Sequence, residues 1–213
     1  MSNSDTKASR GRFITIEGVE GVGKSTNISL IQEIVQAHGY DVLVTREPGG
    51  TPTGERIRQI LLDKEEQSMT AMTELLLMFA ARAQHVSQVI EPAMAAGTWV
   101  ISDRFTDSSY AYQGGGRELG PDLVSTVEEL TLGDFRADLT IVLDLDIKTG
   151  LERATRETEA DRFESEQESF FERVRSAFLA RATEARYQVI DAGQPIELVQ
   201  TRIREVMNAF IAD

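Results

Sequence analysis

Arg12-Phe13-Ile14-Thr15-Ile16-Glu17-Gly18-Val19-Glu20-Gly21-Val22-Gly23-Lys24-Ser25-Thr26 is the stretch on which the reading of this chain turns. Its first six residues alternate and are β-branched, which predicts a strand ended by Gly18. From Ser25 to His38 the apolar residues Ile28, Ile31, Ile34 and Val35 recur at helical spacing, with Gly39 as the stop. Between them, Gly18 to Ser25 fits the pattern G-x-x-x-x-G-K-[ST] in the strand-loop-helix setting it requires. Glycines there let the backbone curl so that successive N–H groups face a phosphate, and the helix adds its positive N-terminal end. Lys24 is placed to reach the β- and γ-phosphates of a nucleotide, and Ser25 to ligate Mg²⁺.

Working outward, strands are predicted at Val42 to Thr45, Thr98 to Ser102, Leu139 to Leu145 and Tyr187 to Ile190. Helices are predicted through Ile57, Ile60 and Leu61, from Thr73 to Ala95 with a bend near Pro92, from Pro121 to Leu132, from Ile147 onward, and from Pro195 to Ile211. Residues 47–54 (EPGGTPTG) read as a loop, and Gly114-Gly115-Gly116 as a turn. Alternating strands and helices with near-continuous apolar strands define an α/β fold: a doubly wound, five-stranded parallel sheet with helices on both faces, of the P-loop NTPase type. Ligands of such sheets bind at the carboxyl ends of the strands, where both the Gly18 loop and Asp103-Arg104 fall. Asp103 there reads as a carboxylate near Mg²⁺ or its waters, and Arg104 as a fork for transferring phosphate.

Bulk composition narrows the function. The 213 residues carry a formal net charge of −13, which argues against a nucleic-acid coat and requires the few cations to be concentrated where an anionic ligand binds. The sequence contains no cysteine, and its only histidines are His38, at a predicted helix end, and His85, which reads equally as surface or core. Residues 1–11 are polar and read as a flexible tail without a secretory h-region, and the most apolar run, Leu75 to Ala81, is too short to span a bilayer. A soluble, cytoplasmic protein with no membrane partner is expected. No asparagine precedes a lysine, so the Asn-Lys-x-Asp base-reading motif of regulatory GTPases is missing.

Beyond Glu17 to Thr26, the ordered segments Thr45 to Gly50 (TREPGG), Leu77 to Arg82 (LMFAAR), Asp103-Arg104-Phe105 and Ala111 to Arg117 (AYQGGGR) accompany the phosphate loop. Together they resemble bacterial thymidylate kinases, of the nucleoside monophosphate kinase family, over residues 12–213. The resemblance implies a single kinase domain with a mobile lid at about 153–166, ATP and dTMP as substrates, Mg²⁺ as cofactor and a homodimer. ATP would be held by Gly18, Val19, Glu20, Gly21, Val22, Gly23, Lys24, Ser25 and Thr26. The metal would be held by Ser25 and Asp103. For dTMP the resemblance implies Phe79 stacking on thymine, Arg82 and Ser108, Ser109 and Gln113 near the base edge, and Glu47, Pro48, Arg58 and Arg104 toward the monophosphate. Glu20, an odd residue inside an anion cradle, would then accept from the sugar 3′-hydroxyl. From periodicity alone, Phe79 reads as core alongside Leu75 and Leu76.

The cradle has no basic residue before Lys24, and the resemblance implies that lid arginines, Arg153, Arg156 and Arg162, supply the missing charge as catalytic groups with Lys24, Asp103 and Arg104. The same stretch also reads as a mixed-charge helix face, with Arg153 spaced to pair with Glu157. It is more acidic than the family pattern. A kinase for another nucleoside monophosphate, a deoxynucleoside kinase and a non-enzymatic nucleotide-dependent module are the rival readings.

Overall fold

Phe13–Glu17 (β1) is buried at every position because strands flank it on both sides and helices cover both faces. A computed structural model describes residues 10–65, 68–154, 162–163 and 166–213. Its sheet also contains β2 (Val42–Arg46), β3 (Trp99–Asp103), β4 (Leu139–Asp144) and β5 (Tyr187–Asp191), in the order β2-β3-β1-β4-β5. Every pairing is parallel, with Ile14 opposite both Ile101 and Leu139. The chain therefore leaves β1 toward β2 and β3 on one side and toward β4 and β5 on the other. That reversal opens the crevice a doubly wound sheet uses for ligands.

Alternation along β1 sends neighbouring side chains into separate cores. Ile14 and Ile16 join α1 (Lys24–Ala37), α8 (Glu168–Arg181) and α9 (Ile196–Ala212) in one cluster. Phe13 joins Val86, Ile90, Met94 and Phe105 in another, its ring meeting Phe105 edge-on at 4.9 Å. The remaining helices are α2 (Pro52–Leu62), α3 (Ala71–His85), α4 (Glu91–Ala95), α5 (Thr106–Ser109), α6 (Pro121–Leu132) and α7 (Ile147–Ala154).

Three local features depart from the sequence reading. The predicted helix from Thr73 to Ala95 passes through a π-helical stretch at Val86–Ile90, one residue ahead of α4, rather than bending at Pro92 itself. Proline lacks an N–H and crowds the carbonyl four residues earlier, so the irregularity falls on the preceding turn. The triple-glycine segment is the end of a second π-helical stretch, Tyr110–Gly116. A Cβ on Gly116 would sit 2.5 Å from the Phe170 ring, so glycine here lets α8 approach. Helix α8 itself was hidden behind its many charges, although Phe170, Phe171, Val174 and Phe178 form its buried stripe.

Candidate active site

The cradle takes its shape from Gly18, Gly21 and Gly23, with φ of 137°, 71° and 83°, a region L-residues disfavour. Val19 and Val22 point into the core, so only their backbone is available to a ligand. Helix α1 begins at Lys24, aiming its free N–H groups at the loop. The Lys24 ammonium folds back over the cradle, donating to the carbonyls of Val19 (3.1 Å) and Gly18 (3.4 Å). Burial, with help from the Arg104 charge, pushes its pKa down to about 8. An anion bound here relieves that penalty.

Beside the cradle, the end of β3 delivers Asp103 and Arg104. Arg104 sits at φ 70°, unusual for a non-glycine residue, and its N–H donates to the Ile16 carbonyl at 3.0 Å. Its guanidinium donates to the Gly18 carbonyl (2.9 Å), the Ser108 hydroxyl (3.1 Å) and Glu20 Oε1 (3.0 Å), and lies 4.9 Å from the Tyr112 ring centre. Burial works against the Arg104 charge, but Tyr112 and Glu20 outweigh it and hold the group protonated. The Tyr112 hydroxyl donates to the same Glu20 oxygen at 2.6 Å. Glu20 Oε2 and Asp103 Oδ1 are buried with no hydrogen-bond partner among the described residues. Beneath them Glu17 accepts from the Phe105 N–H (2.7 Å) and the Ser108 hydroxyl (2.6 Å), and burial together with Asp107 pushes it up to about 7.

The opposite wall comes from the loop after β2 and from α3. Glu47, which precedes a cis peptide to Pro48, is buried and accepts from Arg82 Nε at 2.5 Å. Its other oxygen meets His85 Nδ1 at 3.0 Å, while His85 Nε2 lies 2.7 Å from the Thr45 hydroxyl. His85 is thus a core histidine that braces Glu47. Arg82 also donates to Ser109 Oγ and the Phe105 carbonyl, both at 2.9 Å, and Arg58 donates to the Pro48 carbonyl at 2.9 Å. The Gln113 amide donates to Glu74 at 2.7 Å and leaves its own buried oxygen unpartnered.

These two walls enclose a cavity of about 460 Å³, within the size range of small-molecule sites. Lining it are Glu20, Gly21, Gly23, Lys24, Ser25, Thr26, Glu47, Pro48, Arg58, Arg82, Asp103, Arg104, Ser108, Ser109 and Gln113, all expected from the sequence. With Arg46, five cations face this space in a chain of net charge −13, so positive charge is indeed concentrated here. Leu62, Met78, Tyr112 and Phe163 line it as well and were given no role above. Tyr112 lies inside the AYQGGGR motif, so its position was visible although its part in holding Glu20 was not.

Phe79, expected by resemblance to stack on thymine and by periodicity to be core, is buried. Its ring is 1% exposed, lies outside the cavity lining and is covered by the Arg82 guanidinium at 4.6 Å. Helical rotation turns Met78, its neighbour, toward the cavity instead. Of the arginines expected in a lid, Arg153 donates to the Ala192 carbonyl at 3.5 Å, and Arg162 to the Leu61 carbonyl (2.8 Å) and Glu74 (2.7 Å). Arg156 lies outside the described residues. For a divalent cation, the Ser25 hydroxyl and the unpartnered Asp103 oxygen supply hard oxygen donors on the same cavity. Among the described residues no group of three or more acidic or histidine side chains forms a metal cluster. That donor set suits Mg²⁺ carried chiefly by phosphates and water.

A glycine cradle, an inward lysine and an arginine-lined acceptor wall at one sheet switch point define a P-loop phosphotransferase. The thymidylate kinase family model matches residues 16–203. The chain is 52% identical to a thymidylate kinase of Teredinibacter turnerae over 203 residues, covering 94% of this chain and 99% of that one. It is 54% identical to one from Pseudomonas fluorescens, covering 94% of this chain and 97% of that one. The chain belongs to the thymidylate kinase family.

Proposed function

We propose that this protein transfers the γ-phosphoryl group of ATP to dTMP, giving ADP and dTDP. The observation that carries the reading is one cavity lined both by the cradle, with Lys24 and Glu20, and by the opposite wall, with Glu47, Arg58 and Arg82, and closed by Gln113. Glu20 is suited to a sugar hydroxyl and Gln113 to a base N–H, while Arg104 is held at the cradle by the Gly18 carbonyl and Glu20.

The chemistry follows from that layout. A phosphate monoester is already an ionised nucleophile near neutral pH, so no general base is required. Lys24 follows the charge of the transferred group, Arg104 and Arg58 screen the acceptor phosphate, and the enclosing walls limit water. Ser25 and Asp103 would hold Mg²⁺, which when bound neutralises charge on the bridging phosphate oxygens. Arg153, Arg156 and Arg162 are the reading's lid arginines within residues 12–213, and Arg153 and Arg162 must leave Ala192 and Glu74 to act on phosphate. A homodimer through α3 is part of the reading, supported by Met72 and Leu76, which are exposed on that helix. So is a cytoplasmic location, in keeping with described helices that are not long and apolar enough to cross a membrane.

A coupled assay for ADP with ATP, Mg²⁺ and a panel of dTMP, dUMP, dCMP, AMP and thymidine tests the assignment. Turnover on dTMP is expected; activity on thymidine but not dTMP would overturn it. Lys24→Ala should lower kcat by about a hundredfold or more, with an unchanged thermal melt.

A further inference from the structure

Glu74 lies at the first turn of α3, 1% exposed, and outside the cavity lining. Three donors nevertheless converge on its carboxylate. Gln113 Nε2 approaches Oε1 at 2.7 Å, Arg162 Nη2 approaches Oε2 at 2.7 Å, and Arg117 Nε lies 3.2 Å from Oε2. Arg117 in turn donates to Glu166. Burying a carboxylate this deeply is costly unless it is paired, and here two arginines and an amide pair it.

The contact to Gln113 has a chemical consequence. A carboxylate facing two guanidinium groups accepts hydrogen bonds and offers none. Turning the Gln113 amide over would set its oxygen against Glu74, acceptor on acceptor. The amide is therefore locked with Nε2 on Glu74, which leaves Oε1, on a residue that lines the cavity, buried and without a hydrogen-bond partner among the described residues. An oxygen presented this way accepts from a base that carries a ring N–H, as the N3–H of thymine and uracil does. It repels a base whose ring nitrogen at that edge is itself an acceptor, as in cytosine.

We infer that Glu74 is a specificity-determining positioning residue: it fixes the Gln113 amide so that the site takes bases with a ring N–H, and it anchors Arg162 to the same carboxylate. This rests on the reading of the cavity as the dTMP site. Lid and base edge then share one anchor, so the residue that orients the base reader also holds an arginine arriving from beyond the cavity.

The readout is the ratio of kcat/KM for dTMP to that for dCMP, which a general loss of fold or of phosphoryl transfer does not move. Glu74→Gln keeps the shape but lets the 74 side chain donate, freeing the Gln113 amide to turn. The ratio is expected to fall at least about tenfold, the scale of one mispaired buried amide, with dTMP KM rising more than kcat falls. The exchange Glu74→Gln with Gln113→Glu reverses donor and acceptor across the contact while leaving an oxygen on the cavity. It should bring the ratio back to within about threefold of the wild-type value, since the coupled pair is restored. Gln113→Ala separates the two levels of the argument. If Gln113→Ala collapses the ratio and Glu74→Gln does not, the role given to Glu74 is overturned and the base contact stands. If Gln113→Ala leaves the ratio unchanged, the base contact itself fails. Should Glu74→Gln not fold by thermal melt, Glu74→Asp carries the test, since it draws the carboxylate back from Gln113 while keeping its charge: a fall of the ratio by about tenfold or more supports the inference, and an unchanged ratio overturns it.

Discussion

Replacing Gly21 by alanine tests how closely the cradle and helix α7 are built against each other. A Cβ at Gly21 would lie 2.1 Å from the Gly150 carbonyl oxygen and 2.9 Å from its carbon, where ordinary contact begins at 3.4 Å. Both atoms are backbone, so no side chain can swing aside; α7 and the cradle must part by about 1 Å. The residue also sits at φ 71°, which costs an L-residue about 1–2 kcal/mol. Overpacking adds about 1–3 kcal/mol, for a total of about 2–5 kcal/mol. Gly39→Ala is the matched control, because its φ of 86° carries the same backbone cost with nothing within 4 Å of the new methyl group. Urea unfolding should show Gly39→Ala losing about 1–2 kcal/mol and Gly21→Ala clearly more. A displacement of this size near transferring phosphate should lower kcat about a hundredfold, whereas Gly39→Ala should leave kcat alone. Equal losses of stability in the two variants, with kcat of Gly21→Ala within a factor of about three of wild type, would refute the argument that backbone contact with Gly150 sets the cradle.

Two pH dependences follow from the buried charges. Glu17 is held near 7 in the folded protein against 4.5 ordinarily, so between those values the native state keeps a proton the unfolded chain has released. Stability must therefore fall as pH rises through that window, by about 3 kcal/mol, and Glu17→Gln should remove this fall in melts taken from acid to mildly alkaline pH; a parallel pH dependence in both proteins would contradict it. In the proposed reaction Lys24 acts as the ammonium, and it is held near 8 in the free protein, so kcat/KM for ATP should decline as pH rises through that value, and Lys24→Arg should show no such limb. A level wild-type profile up to the ordinary lysine range would count against the burial argument.

The sheet was legible in the sequence because each strand is short, apolar and β-branched, and because the phosphate-loop spacing fixes what must precede and follow it. Asp103 and Arg104 were legible for the same reason, since a strand end in such a sheet is a ligand position. The stacking role of Phe79 comes from the resemblance; periodicity alone reads it as core, and it is buried. It shares a helical stripe with Leu75, and neighbouring residues differ by about 100° of rotation, so the choice between Phe79 and Met78 for the cavity rests on packing around Arg82. The partners of Arg162 were illegible because Glu74 lies 88 residues away in sequence, and no local pattern links them. Helix α8 was masked by Glu and Arg residues that its exposed face tolerates, although Phe170, Phe171, Val174 and Phe178 recur at helical spacing.

What unites the site is the way an acidic chain handles its cations. Arg104 is shared with Glu20, Arg82 with Glu47, and Arg162 with Glu74. Each acid leaves its arginine oriented before any ligand arrives, which removes reorganisation from the reaction step. The same pairing limits how strongly each arginine can attract phosphate, since part of its charge is already answered. Among the described residues Lys24 has no carboxylate at hydrogen-bond distance, and it rests on two carbonyls, Gly18 and Val19. Its charge is thus the least compensated at the cradle and the most costly to keep buried, which is why its pKa falls while that of Arg104 rises. The group whose ionisation the protein holds least firmly is the one placed to follow the moving phosphoryl charge, and an arriving triphosphate supplies the compensation that the fold withholds.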